Sequence, residues 1–108
     1  MKRYVITHPD YGIYLGRYIG LGFWSMLNSL GRDSAVVFES SKDAWVHINT
    51  WCPQNAEYRK QLVISRVDCE HPEYARIPEL RAAGLDTYLH DMEISALRYT
   101  KPAGRDEQ

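Results

Sequence analysis

Apolar positions along the chain fall into short alternating or β-branched runs separated by Gly, Pro and Asp, and one longer stretch repeats at helical spacing. Tyr4-Val5-Ile6-Thr7 is a β-rich run that stops at His8-Pro9-Asp10-Tyr11-Gly12, where Pro fixes φ and Gly admits positive φ, so a hairpin is predicted to close there. Ile13, Tyr14 and Leu15 resume a strand. After Gly16 to Gly20, the run Leu21-Gly22-Phe23-Trp24-Ser25 makes a third, with glycines where the backbone must bulge or allow a close approach. Polar Asn28 to Asp33 reads as a loop, and Ala35-Val36-Val37-Phe38-Glu39 as a fourth strand.

Ser40-Ser41-Lys42-Asp43 follows, and a Ser with an acidic residue three positions on satisfies free amide donors at a helix start. The helix is predicted from Ser41 to Trp51. Ala44, Ile48 and Trp51 form its buried stripe, Trp45 lies on the edge, and Pro53 stops it. Gln54 to Glu57 reads as a polar loop and Gln61 to Val67 as a fifth strand. Pro78 and Gly84 bracket a short second helix through Glu79-Leu80-Arg81-Ala82-Ala83. A last strand from Met92 to about Tyr99 and a polar, frayed tail over 101–108 complete the reading. The order, rich in hairpins and poor in βαβ units, predicts a single α+β domain over residues 1–100. It would be a mostly antiparallel sheet with one main and one short helix packed on one face.

Composition supports a self-sufficient core: 44% of the 108 residues are apolar and 12% aromatic, which suffices to fold without disulfide or metal. A formal charge of −1 gives no whole-chain attraction for phosphates or anionic lipid. Locally, Asp68, Glu70 and Glu73 make an acidic stretch, continued by Asp86, Asp91 and Glu93 and broken by Arg76 and Arg81. Two cysteines, the lack of a signal-type apolar run and the lack of a membrane-length one predict a cytoplasmic protein that does not span a membrane.

Candidate chemistry is thin. Cys52, Cys69 and His71 are zinc-type ligands, and His8, His47 or His90 would supply a fourth, but no close ligand pair of the C-x₂-C kind exists. Neither cysteine stands in a nucleophile signature, and the histidines are scattered. Glu39, Asp43 and Glu57 would make paired carboxylates only by convergence, and Asp43 has a simpler task at the helix start. Gly20-Leu21-Gly22 lacks the third glycine and the Lys-Ser/Thr pair of a phosphate loop. No catalytic, metal or cofactor residue is expected.

The aromatic excess is the feature with functional weight. Tyr4, Tyr11, Tyr14, Tyr18, Phe23 and Trp24 crowd the first strands, interleaved with Arg3 and Arg17. Alternation assigns Ile13, Leu15, Phe23 and Trp24 inward and leaves Tyr14 and Tyr18 outward, so that Tyr14, Arg17 and Tyr18 would stack on single-stranded bases or anchor a protein partner.

The runs Gly12-Ile13-Tyr14-Leu15-Gly16, Gly20-Leu21-Gly22-Phe23-Trp24-Ser25 and Ala35-Val36-Val37-Phe38-Glu39-Ser40, leading into Asp43-Ala44 and Trp51, resemble small uncharacterised proteins carried by bacteriophages and prophages. The resemblance spans the first half of the chain and brings no catalytic residue. It implies a non-enzymatic protein that occupies a bacterial host protein, as inhibitors of host defence systems do, anti-CRISPR proteins among them. Partner-binding candidates are Tyr14, Arg17 and Tyr18 together with Asp68, Glu70 and Glu73, whose charge would complement a basic groove on the target. A single-strand nucleic-acid binder using the Tyr/Arg face is the alternative, and a small hydrolase or transferase with a dispersed site ranks third.

Overall fold

Both alternating sets of side chains on the first strands are apolar, and this decides the architecture. The structure is a computed structural model that describes residues 1–18, 21–28 and 31–89. Strands β1 (Lys2–His8) and β2 (Gly12–Tyr18) form the predicted hairpin, with Thr7 opposite Ile13 and His8 opposite Gly12. Gly12 takes φ +91, the conformation its place in the turn requires. Strand β3 (Leu21–Trp24) pairs antiparallel with β2 through a register shift between Tyr14 and Gly16. A 3₁₀ turn, Ser25–Leu27, follows.

The fourth run splits where the sequence suggests one strand. Only Ser34–Val36 forms β4, after which the chain changes partner: Phe38 exchanges backbone hydrogen bonds with Tyr4 at 2.8 and 2.9 Å. Helix α1 (Ser41–Trp51) has the predicted bounds, and Ser40 caps it by accepting from the Asp43 amide at 3.0 Å. A second helix stands where a loop is predicted: Asn55 caps α2 (Ala56–Lys60) by accepting from the Tyr58 amide at 3.0 Å. Strand β5 (Val63–Asp68) pairs with β1 along its length, from Lys2 opposite Asp68 to Thr7 opposite Val63. The short strand β6 (Tyr74–Arg76), absent from the sequence reading, pairs with β4. Helix α3 (Ile77–Ala82) follows, its start held by a Glu79 carboxylate that accepts from the Arg76 and Glu70 amides, each at 2.9 Å.

The result is an α+β fold: a four-stranded antiparallel sheet ordered β3-β2-β1-β5 and a two-stranded β4-β6 ribbon. The helices do not share one face. Val5, Ile13, Leu15 and Val67 pack with Ala35, Ala75 and the α3 residue Leu80, whereas Ile6 and Tyr14 pack with Ala44, Ile48 and Cys52 of α1. Adjacent strand residues point to opposite faces, so α1 and α3 cover opposite sides of the sheet. One face of helices would leave Val5 and Ile13, or Ile6 and Tyr14, in water; burial of each such side chain contributes about 1.5–3 kcal/mol. The expected strand at Met92–Tyr99 and the tail 101–108 lie outside the described residues. Among the described residues no helix is long and apolar enough to cross a membrane.

Candidate functional site

The last turn of α1 ends beside the β1–β2 hairpin, and α2 folds back between them. These three elements and β3 enclose a cleft of about 390 Å³ walled by Tyr11, Tyr14, Trp24, Trp51, Cys52 and Tyr58. Leu21 and Trp51, 64% and 53% exposed, stand at its mouth. The strand glycine Gly22 permits the closeness of β3: a Cβ there would lie 3.0 Å from the Tyr14 ring. The rings brace one another, with Tyr14 and Trp24 edge-on at 5.1 Å, Tyr11 and Tyr58 at 5.7 Å, and Trp24 and Tyr58 edge-on at 6.3 Å. Each such pair contributes about 0.5–1.5 kcal/mol beyond area burial, which makes the cleft a preformed feature.

Behind it sits His8, 2% exposed, against the rings of both Tyr11 and Tyr58, at 4.5 and 5.1 Å. Its Nδ1 accepts from the Asp10 amide at 3.1 Å, so a neutral ring carries its proton on Nε2. That Nε2 is buried without a hydrogen-bond partner. The ring meets Trp24 edge-on at 6.2 Å.

Burial keeps the cleft uncharged at neutral pH. The Tyr14 phenol is pushed up to about 12, chiefly by burial and secondarily by Cys52, against the opposing fields of Arg17 and Arg32. The Tyr58 phenol and the Cys52 thiol are both raised, again chiefly by burial. The Tyr14 hydroxyl and His47 Nε2 are 2.8 Å apart, and burial followed by the Arg17 charge holds His47 below its ordinary range. At the rim, the Arg17 guanidinium lies 3.4 Å from the centroid of the Trp51 ring.

The sequence-predicted residues divide. Tyr14 is buried at 2% exposure rather than outward, because β2 is covered on both faces. It still walls the cleft. Arg17 reaches Trp51 across the rim. The Tyr18 backbone pairs with Leu21 at the end of β2, and its side chain lies outside the described structure. Trp24 packs against the α1 cluster and Phe23 against the other, so the two expected inward aromatics serve different faces. Asp68 stands at the far end of β5, ion-paired at 2.9 Å with the N-terminal ammonium, which holds its carboxyl below the usual range. Glu70 is exposed, with its amide on Glu79, and Glu73 lines a second hollow beside Arg17 and Arg32. The three acids therefore do not meet at the cleft.

Cys52 and Cys69 belong to opposite clusters, with the sheet between them, and His71 stacks on Tyr74 at 3.8 Å. Among the described residues no three His, Cys, Asp or Glu side chains gather as metal ligands would. Glu39 and Glu57 pair separately with Arg3 at 3.7 Å and Lys60 at 3.9 Å.

Tyr11, Trp51, Tyr58 and Arg32 are the site residues the sequence reading passed over. The available signal for Tyr58 was Asn55 followed by Ala-Glu-Tyr-Arg-Lys, a capped run of helix formers. For Trp51 it was the competing stripe Ala44, Ile48, Cys52, which puts the indole on a shoulder of α1. No protein-family model, curated protein or solved structure matches the chain.

Proposed function

We propose that the chain is a non-enzymatic binding protein whose aromatic cleft takes an apolar or aromatic side chain of a partner protein. The observation that carries this reading is the conjunction of a braced, uncharged aromatic cavity with two large exposed hydrophobics, Leu21 and Trp51, at its mouth. Tyr and Trp in a preformed pocket are the residue types that dominate binding energy at protein interfaces, and they lose little side-chain freedom on binding. The volume falls within the roughly 300–1,000 Å³ of small-ligand pockets, enough for one anchoring side chain. The raised Cys52 thiol and the phenols suit an uncharged anchor better than nucleophilic or acid–base chemistry.

We further propose, on the resemblance of the first half to phage-borne proteins alone, that the partner is a bacterial host protein met in the host cytoplasm and that binding inhibits a host defence system. Nucleic-acid binding is the second reading. It is favoured by Arg17 beside Trp51, but Tyr14 is unavailable as an outward stacking platform.

The test is affinity capture from bacterial lysate with three forms: wild type, a Leu21→Ser/Trp51→Ala variant, and a Val63→Ser variant on β5. A stoichiometric partner retained by wild type and Val63→Ser and lost with the cleft-mouth variant supports the reading. Equal capture by all three folded forms, or no stoichiometric partner, refutes it.

A further inference from the structure

We propose that the hollow beside the cleft, where Arg17 and Arg32 converge, binds a carboxylate, and that the partner segment filling the cleft carries this carboxylate next to its apolar anchor. The second part rests on the protein-binding reading above. The hollow measures about 430 Å³ and is lined by Gly16, Arg17, Arg32, Ser34 and Glu73 among others. It adjoins the cleft through the stacked pair, since Arg17 lines one and Trp51 the other.

Both arginines are held in place, and among the described residues neither has an acidic partner. Buried Asn28 clamps the Arg32 backbone, donating to its carbonyl at 2.6 Å and accepting from its amide at 3.1 Å. Arg32 Nη1 reaches the Leu15 carbonyl at 3.4 Å across Gly16, whose φ of +127 and missing Cβ leave it room. The indole of Trp51 fixes the plane of Arg17, whose Nε is buried without a hydrogen-bond partner. Among the described residues neither guanidinium makes an ion pair.

Among the residues that line the hollow, Arg17 and Arg32 against the single acid Glu73 leave one unit of formal positive charge. A carboxylate matches that charge and the planar fork of an arginine. A phosphate dianion would overfill it and meet Glu73 as a like charge. The lowering influence of Arg17 on both Tyr14 and His47 shows that its charge is felt at the cleft wall.

The experiment is an NMR titration of the full chain with the acetylated, amidated tripeptides Phe-Gly-Glu and Phe-Gly-Gln, read at the backbone amides of Gly16, Arg17, Arg32 and Ser34. The glutamate peptide is expected to bind about fivefold tighter, the size of one partly screened charge-assisted hydrogen bond. Arg17→Gln and Arg32→Gln each bring the ratio towards one, and Glu73→Gln raises it about twofold by removing the like charge. Should Arg32→Gln not fold, Arg32→Lys, which keeps the charge but loses the fork, also lowers the ratio. Equal binding of both peptides overturns the carboxylate site while leaving the cleft reading intact. Binding of neither removes the cleft reading and this proposal with it. A preference that survives both arginine variants, or an octathymidylate that binds tighter than the glutamate peptide and is lost in those variants, overturns the proposal.

Discussion

Tyr14 separates the two views of the sheet most sharply, because an outward tyrosine is dispensable for stability and a buried one is not. Its ring is 2% exposed within the cluster of Ile6, Ala44 and Ile48, and its hydroxyl is 2.8 Å from His47 Nε2. Tyr14→Phe removes only the hydroxyl and leaves the imidazole without that partner, at about 1–2 kcal/mol. Tyr14→Ala also opens a ring-sized cavity beneath β3, whose Gly22 backs directly onto the ring. The expected total is about 3–5 kcal/mol. Against a domain stability of roughly 5–15 kcal/mol, the alanine variant stands near the limit of folding. Urea titration followed by tryptophan fluorescence measures both, with melting temperature falling about 4–8 °C per kcal/mol as a second readout. Losses of under about 0.5 kcal/mol for Tyr14→Ala, as at an ordinary surface position, would refute the buried placement.

The His47 imidazole is held below its ordinary value of 6.5, so on acidification the unfolded chain takes up this proton first. Its contribution is fully present above about pH 6.5 and declines as pH falls towards the folded value, so the stability gap between wild type and His47→Gln should narrow from pH 7.5 to pH 5. Gly12 and Gly84 share positive φ, but a Cβ at Gly12 would overlap Ser25 Oγ while Gly84 faces open space. By urea titration Gly84→Ala should therefore cost only the backbone term, about 1–2 kcal/mol, and Gly12→Ala distinctly more. Cys52 and Cys69 are buried with raised thiols, so iodoacetamide should label both slowly in the folded chain and rapidly in denaturant.

The hairpin at His8–Gly12 and the bounds of α1 were legible because each is fixed locally, by Pro and Gly in a turn and by Ser40 at a cap. Elements fixed from a distance were not. Strand β6 has three residues and exists because β4 lies beside it, while the run from Ala35 to Glu39 divides because Phe38 finds Tyr4 across the fold. Sidedness failed for a related reason: in Ile13-Tyr14-Leu15 an amphipathic tyrosine reads as the polar member of an alternation, yet α1 covers it. The candidate site inherited that error. Its aromatic character was visible in the composition, but the cleft joins residues 11, 24, 51 and 58, which only the packing of α1 and α2 against the hairpin brings together.

Three tryptophans provide an internal comparison for the central claim, since Trp24 and Trp51 line the cleft and Trp45 does not. With the purified partner added to isotopically labelled protein, the indole N–H resonances of Trp51 and Trp24 should shift at saturation while that of Trp45 stays in place. A complex that forms without moving Trp51 and Trp24, or that moves Trp45 instead, would contradict the assignment of binding to the cleft.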